Sequence, residues 1–255
     1  MITLAFETSC DETSAAVLEN ERVISNVIST QLFHFKYGGV VPEVASREHL
    51  KKIMPLCETA LEKCGKKLAD VNLICATTEP GLIGALLVGS NFAKGLSVAL
   101  QVPFISVNHI HAHLYSPFIE NPNMDFPFLG LIVSGGHTLL IIAEGMFKHR
   151  ILGRTIDDAA GEAYDKVAKL LGLPYPGGKL IDDAAHKGDP AFHKFPKARI
   201  KDSEFDFSFS GIKTSVLYYL RKNFLDNKID SDTMNNICAS LSFISRFSSF
   251  EKTFI

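Results

Sequence analysis

The sequence predicts an α/β protein built from two related halves, and three features of its pattern lead there. Strand and helix signals alternate from Leu73 to about Phe118, the order of a parallel α/β core. A strand, a small polar turn and a returning strand open the chain at Ile2 and recur at Phe128. Between the two runs lies Glu120 to Pro127, rich in Pro and Asn, which reads as a linker. The expected division is therefore 1–119 and 120–255, a duplicated α/β domain with a cleft between its halves.

The elements follow in order. Ile2 to Glu7 reads as a strand, Thr8 to Thr13 as a polar turn, and Ser14 to Leu18 as the returning strand, with a third strand over Arg22 to Ser29. Pro42 marks a helix start, and Leu50, Ile53, Met54, Cys57, Leu61 and Cys64 recur at the three and four spacing of an amphipathic helix, with Pro55 a potential kink and Gly65 a stop. A strand over Leu73 to Thr77 leads to a helix from Ile83 to Leu100, whose Gly84, Ala85, Gly89, Ala93 and Gly95 allow very close packing on a sheet. The strand Phe104 to Val107 then delivers a helix to about Phe118.

In the second half, Phe128 to Val133, Leu139 to Ala143 and His149 to Thr155 echo the opening three strands. Helices are expected from Glu162 to Leu171, across Asp182 and Asp183, and from Ile212 to about Phe224. From Ile237 onward the chain reads as a Ser- and Phe-rich tail.

Composition narrows the class of function. The 255 residues, 46% hydrophobic and 10% aromatic, suit a globular protein with one large core or two modest ones. The start carries no basic leader and no uninterrupted apolar run approaches the ~18 residues of a membrane span, so a soluble cytoplasmic protein is expected. Five scattered cysteines without a Cys-x-x-Cys pair point to reduced thiols rather than a disulfide framework or a zinc ribbon. A net charge of -2 supplies no global attraction to nucleic acid, so any such binding rests on a local basic patch.

Three histidines within five residues, His109, His111 and His113, carry the clearest chemistry. On a helix, His109 and His113 stand at i and i+4 on one face, where two imidazoles can share a metal ion or simply pack. A metalloprotease is excluded, because its general base follows the first histidine and that position is Ile110. The turns at Thr8–Thr13 and Ser134–Thr138 are places where backbone N–H groups could converge on phosphate oxygens. Asp11 and Glu12 sit at the first turn, as a nucleophile-orienting pair or as solvated carboxylates. Asp165 follows Asp157 by about two helical turns and either takes a ribose hydroxyl or a backbone-like amide in the cleft or belongs to a solvated helix face. Lys187, Lys194, Lys197, Arg199 and Lys201, interleaved with Phe192 and Phe195, form a basic loop that either holds a nucleic-acid backbone or is solvated.

Taken together, Glu7–Thr13, Gly38–Glu43, His109–His113, Val133–Thr138, Asp157–Lys166 and Asp206–Thr214 resemble the bacterial TsaD family, also called Gcp, the subunit that makes threonylcarbamoyladenosine in tRNA. The resemblance runs from residue 1 to about 240. It implies an actin-like and sugar-kinase-like (ASKHA) fold of two related domains around a cleft. The implied reaction moves a threonylcarbamoyl group from threonylcarbamoyl-AMP to N6 of adenosine 37 in tRNAs reading ANN codons. One divalent metal, iron or zinc, is implied at His109 and His113, and an adenylate, an ATP-type nucleotide, at Ile132, Val133, Ser134, Gly135, Gly136, Asp165, Gly178 and Asp182. Asp11 and Glu12 match the catalytic acidic tip, and the implied partners are tRNA, a TsaB-type paralogue and a TsaE-type ATPase, with no membrane.

The sequence departs from the family beyond Ser240, where the glycine-rich loop and the Thr-Asp-Asn segment with a third metal ligand do not appear and Leu241–Ile255 resembles a frame-shifted end. A second domain lacking its last strands is the corresponding expectation. Two other readings stay open at this point: a shortened relative that only binds its partner, and an ATPase or phosphotransferase of the same fold.

Overall fold

The computed structural model describes residues 1–196, 200, 203–224 and 229–241. Two compact units emerge, Met1–Met124 and a second beginning at Asp125.

The first unit is a five-stranded sheet with helices packed on it. Strands β1 (Ile2–Glu7), β2 (Glu12–Glu19) and β3 (Arg22–Thr30) form an antiparallel meander. On the other side of β1 lie β4 (Leu73–Glu79) and β5 (Phe104–Asn108), both parallel to it, giving the order β3-β2-β1-β4-β5. Helix α1 (Pro42–Lys63) joins β3 to β4, α2 (Ile83–Leu100) joins β4 to β5, and α3 (His109–Tyr115) follows β5 directly. Leu4, Val17, Ile74, Cys57 and Ala60 are fully buried where α1 meets the sheet, and Phe6 packs edge-on against Phe92 at 5.2 Å. The three parallel strands end at one edge, which brings Glu7, Thr77 and His109 to the same place; in open α/β sheets ligands bind outside these carboxyl ends.

Local chemistry accounts for the boundaries. Pro42 supplies a pre-set φ in the first turn of α1, where its missing N–H costs nothing. The helix continues through Pro55, and Gly65, at φ +66°, closes it as expected. Asn108 accepts hydrogen bonds from the backbone of Ile110 and His111 at 2.9 and 3.2 Å, so the short helix α3 begins at His109.

Gly89 of α2 packs tightly where the sheet ends and Gly84 packs against α1, whereas Gly95 is exposed with open space beside it, so the expected close face does not extend that far. A Cβ on Gly89 would lie 2.3 Å from the Thr8 hydroxyl, and one on Gly84 would lie 2.4 Å from that of Ser46. Thr8 donates to the Ala85 carbonyl at 2.8 Å across this contact. By length and mean hydropathy (1.4 over 18 residues) α2 is long and apolar enough to cross a bilayer, yet its Ala85, Leu86, Gly89, Ser90 and Ala93 are buried against the rest of the unit.

The second unit opens with β6 (Phe128–Val133), β7 (Thr138–Gly145) and β8 (Lys148–Arg154), an antiparallel meander of the same order as β1–β2–β3. Among the described residues its sheet has three strands to the first unit's five. Helices α4 (Ala160–Leu170), α5 (Gly178–Ala185), α6 (Ser210–Asn223) and α7 (Ser231–Leu241) share a core of Tyr164, Val167, Ile181, Val216, Leu220 and Ile237.

Helix α7 corrects the expectation of a tail from Ile237. Met234, Ile237, Cys238 and Leu241 recur at helical spacing, Asp230 caps the first turn through Thr233, and Ile237 and Cys238 are fully buried. The loop after α5 is tied to this helix: the amides of Asp189 and His193 donate to Asn236 and Ser240. Residues 242–255 lie outside the described residues, as do Lys197, Arg199 and Lys201 of the basic loop. Within that loop Phe195 packs on Tyr219 at 5.7 Å, which commits its ring to the unit's own core, while Phe192 stays exposed. If α7 is a core element, Ile237→Ala costs about 2–5 kcal/mol, read as a lowered urea midpoint at unchanged slope.

Candidate functional site

The histidine pair spans α3, with His109 as its first residue and His113 in its last turn. His109 is mostly buried and His113 is exposed, with ring centroids 4.5 Å apart and ring planes at 85°. Their Nε2 atoms approach to 3.1 Å. Two nitrogens bound tetrahedrally to one ion at about 2.05 Å stand roughly 3.3 Å apart, so the pair is already at the separation a shared metal requires. The donors also suit the chemistry, since neutral imidazole serves iron and zinc alike. Among the described residues no third His, Cys, Asp or Glu completes a group of three.

Glu7 and Ser9 hold His109 from behind. Glu7 Oε2 lies 3.2 Å from His109 Nδ1, and the Ser9 hydroxyl lies 3.3 Å from the same nitrogen. The other Glu7 oxygen takes the Ser9 backbone amide in a short hydrogen bond. Burial acts to raise the Glu7 pKa, but donation from His109, Ser9 and Thr77 overcomes it and holds the carboxyl down at about 2. Glu7 is therefore an anion fixed beside the imidazole.

The turn that carries the acidic tip is held by all the elements around it. The carbonyls of Ser9, Cys10 and Asp11 accept from Leu82 N, His49 Nε2 and Gln31 N at 2.8, 3.0 and 3.0 Å. His49 and His34 are fully buried and hydrogen-bonded, His49 to Thr13 at 2.8 Å and His34 to Gln31 at 3.0 Å. Burial lowers both pKa values, so these imidazoles are neutral structural groups. Glu12 begins β2 and accepts from the Thr30 hydroxyl at 2.9 Å, and Asp11 lies beside Cys10. Cys10 is exposed at this turn, and desolvation of its sulfur together with the Asp11 carboxylate pushes the thiol up to about 12, which disfavours a thiolate there.

The residues matched to an adenylate lie on β6, the turn after it, α4 and α5 of the second unit. Ile132 is buried and Val133 exposed at the end of β6; the turn after them is closed by Ser134, whose hydroxyl accepts from the amides of Gly136 and His137 at 3.3 and 3.0 Å. Those two amides are directed at Ser134 rather than outward, which modifies the expectation of a turn with all its N–H groups open. Gly135 and Gly136 are exposed with open space where a side chain would be. Gly161, at the start of α4, fits under the turn: a Cβ there would lie 2.7 Å from the Ser134 carbonyl. Asp165 accepts from the Gly177 amide at 2.7 Å and from Gly178, so its carboxylate holds the turn that precedes α5. Burial raises the Asp165 pKa against those two donors. Asp182 is exposed on α5.

Sequence reasoning does not single out Glu7, Ser9 or Asp157. A carboxylate closing an otherwise apolar strand is the available signal for Glu7. Asp157 accepts from the hydroxyls of Ser208 and Ser210 and the amides of Phe209 and Ser210, clamping the start of α6. These partners lie 51 to 53 residues away, beyond the reach of local patterning.

The two three-stranded meanders, with the first extended by parallel β4 and β5 and a histidine helix at the strand ends, define an α/β protein of the actin-like and sugar-kinase-like class. A similar backbone occurs in component A of (R)-2-hydroxyglutaryl-CoA dehydratase from Acidaminococcus fermentans, with a TM-score of 0.50 and 16% identity over 98% of this chain and 78% of that one. The family model for TsaD, tRNA N6-adenosine threonylcarbamoyltransferase, matches residues 22–253, past the point at Ser240 where the pattern was expected to end. The chain belongs to this family. It is 53% identical to the tRNA N6-adenosine threonylcarbamoyltransferase of Geotalea uraniireducens over 94% of this chain and 70% of that protein. With the enzyme of the same name from Chlorobium luteolum it shares 54% identity over 87% of this chain and 67% of its relative.

Proposed function

We propose that the chain moves the threonylcarbamoyl group from threonylcarbamoyl-AMP to N6 of adenosine 37 in tRNAs reading ANN codons. Family membership supports the reaction class, and the observation that carries the site is the pair of Nε2 atoms 3.1 Å apart at the ends of the parallel strands. His109 and His113 would hold one divalent iron or zinc, which when bound supplies Lewis-acid polarisation of carbamoyl or phosphate oxygens.

The chain's own residues do the rest. In the second unit, exposed Gly135 and Gly136 allow close backbone approach to an adenylate beside Ile132, Val133 and Ser134, while Asp165 keeps the turn at Gly177 and Gly178 closed ahead of Asp182. Asp11 or Glu12 orients the adenine amine or accepts its proton as the new N–C bond forms and AMP departs with the bonding electrons. In the first unit α1 and α2 pack together and leave large apolar side chains exposed at helical spacing, Leu50 and Met54 on one and Ile83 and Leu87 on the other. Such a surface suits helices of a TsaB-type paralogue, with a TsaE-type ATPase joining the assembly in the cytoplasm.

The test supplies threonylcarbamoyl-AMP and an ANN-reading tRNA transcript, with and without a TsaB-type partner, and looks for the modified nucleoside by mass spectrometry. Formation of N6-threonylcarbamoyladenosine is the expected result. Partner binding without transfer would leave only a binding module, and ATP turnover without tRNA would favour a phosphotransferase.

A further inference from the structure

We infer that Glu7 is the positioning residue of the metal half-site: its carboxylate accepts the Nδ1 proton of His109 and thereby aims the Nε2 lone pair at the ion. The inference rests on the proposed metal reading of His109 and His113, and it gives Glu7 a role exerted through His109.

The geometry carries it. Glu7 closes β1 and His109 opens α3, and the two strands between which β4 runs end together, so the contact is made by the sheet and not by a loop. Of the two Glu7 oxygens, Oε1 takes the Ser9 amide and Oε2 faces His109 Nδ1 at 3.2 Å, while the Ser9 and Thr77 side chains also donate to the carboxylate. A carboxylate has no proton to give, so the hydrogen in the second contact belongs to Nδ1. A neutral imidazole with its proton on Nδ1 has its lone pair on Nε2, the atom 3.1 Å from His113 Nε2. Without metal, His113 Nε2–H then donates to His109 Nε2; ligation of an ion needs that proton to leave Nε2 of His113. Carboxylates behind metal-binding histidines act in this way, fixing tautomer and ring orientation, and their loss weakens metal affinity about 10–100-fold.

Glu7→Gln makes the sharpest test, because the isosteric amide reverses the polarity at one oxygen. The Ser9 amide is an obligatory donor and claims the Gln carbonyl, which turns the NH2 group toward His109 Nδ1. That nitrogen must then accept, and the proton of His109 moves to Nε2, where it blocks the ion.

Long-range 1H–15N correlation spectra of the full chain without metal report the tautomer directly, and calorimetric titration with Zn2+ alone reports affinity. The expected results are a His109 proton on Nδ1 in the wild type, a proton on Nε2 in Glu7→Gln, and Zn2+ binding weakened about 10–100-fold in that variant. Ser9→Ala should keep the Nδ1 proton, since the carboxylate is its acceptor; loss of that tautomer would assign the role to Ser9 and overturn the inference. A wild-type proton on Nε2 would also overturn it, and that spectrum decides the matter even if Glu7→Gln does not fold. Unchanged tautomer and affinity in folded Glu7→Gln would overturn it too. The metal reading fails separately: wild type and His109→Ala binding Zn2+ equally would refute the half-site, while a tautomer reversed by Glu7→Gln would still establish the orientation by Glu7.

Discussion

Alanine at either His109 or His113 is expected to lower threonylcarbamoyl transfer at least ~100-fold, the scale on which a preorganised electrostatic partner of the reacting oxygens is lost. Because the ion needs both imidazoles, the single and double variants should be almost equally impaired, with no further loss on combining them. Stability separates this from unfolding. His113 is exposed, so His113→Ala should change folding free energy by no more than about 0.5 kcal/mol. Initial rates at saturating threonylcarbamoyl-AMP, with thermal melts on the same samples, check both points. Retained transfer in His113→Ala would remove the pair from the mechanism.

The second large effect comes from a residue with no chemistry of its own. A Cβ on Gly81 would stand 2.5 Å from the Ser9 carbonyl oxygen and 2.9 Å from Ser9 Cβ. The first of these is backbone, already bonded to the Leu82 amide at 2.8 Å, and it has no rotamer through which to retreat. Gly81→Ala therefore moves the Ser9–Asp11 turn by roughly half an ångström or more, shifting the acidic tip and the amide that steadies Glu7. Displacements of that order cost about 10–100-fold in rate where reacting groups must be aligned. Overpacking adds about 1–3 kcal/mol of destabilisation. The expected result is a lower kcat with a modestly lower thermal midpoint; a wild-type kcat would mean that the turn is remote from the chemistry.

Much of this site is legible in the sequence, for definite reasons. The pairing of His109 with His113 needs only helical periodicity, and Asn108 as a cap places the helix start at the first histidine. The repeated meander is visible because both copies join apolar strands by small polar turns. Close packing of α2 follows from Gly84 and Gly89, whose neighbours leave no room for a side chain. Long-range polar contacts are what the sequence conceals. Glu7 meets His109 across 102 residues and Asp157 meets Ser210 across 53, and no local spacing encodes either. Helix α7 is a different failure. Its apolar spacing is plain, but the Ser- and Phe-rich composition that follows Ile237 reads as a tail and masks it. The Ser134 turn shows a third limit: glycines announce a turn, but only the fold reveals that Ser134 takes two of its amides.

A metal half-site at His109 and His113 that serves transfer to tRNA makes that transfer depend on the ion. This dependence is tested most directly by titrating Zn2+ or Fe2+ into chelator-treated protein while measuring threonylcarbamoyladenosine formation. Transfer is expected to rise and saturate at about one ion per chain, a response that His109→Ala abolishes. Full transfer in the metal-free protein, unchanged by added ion, would contradict it.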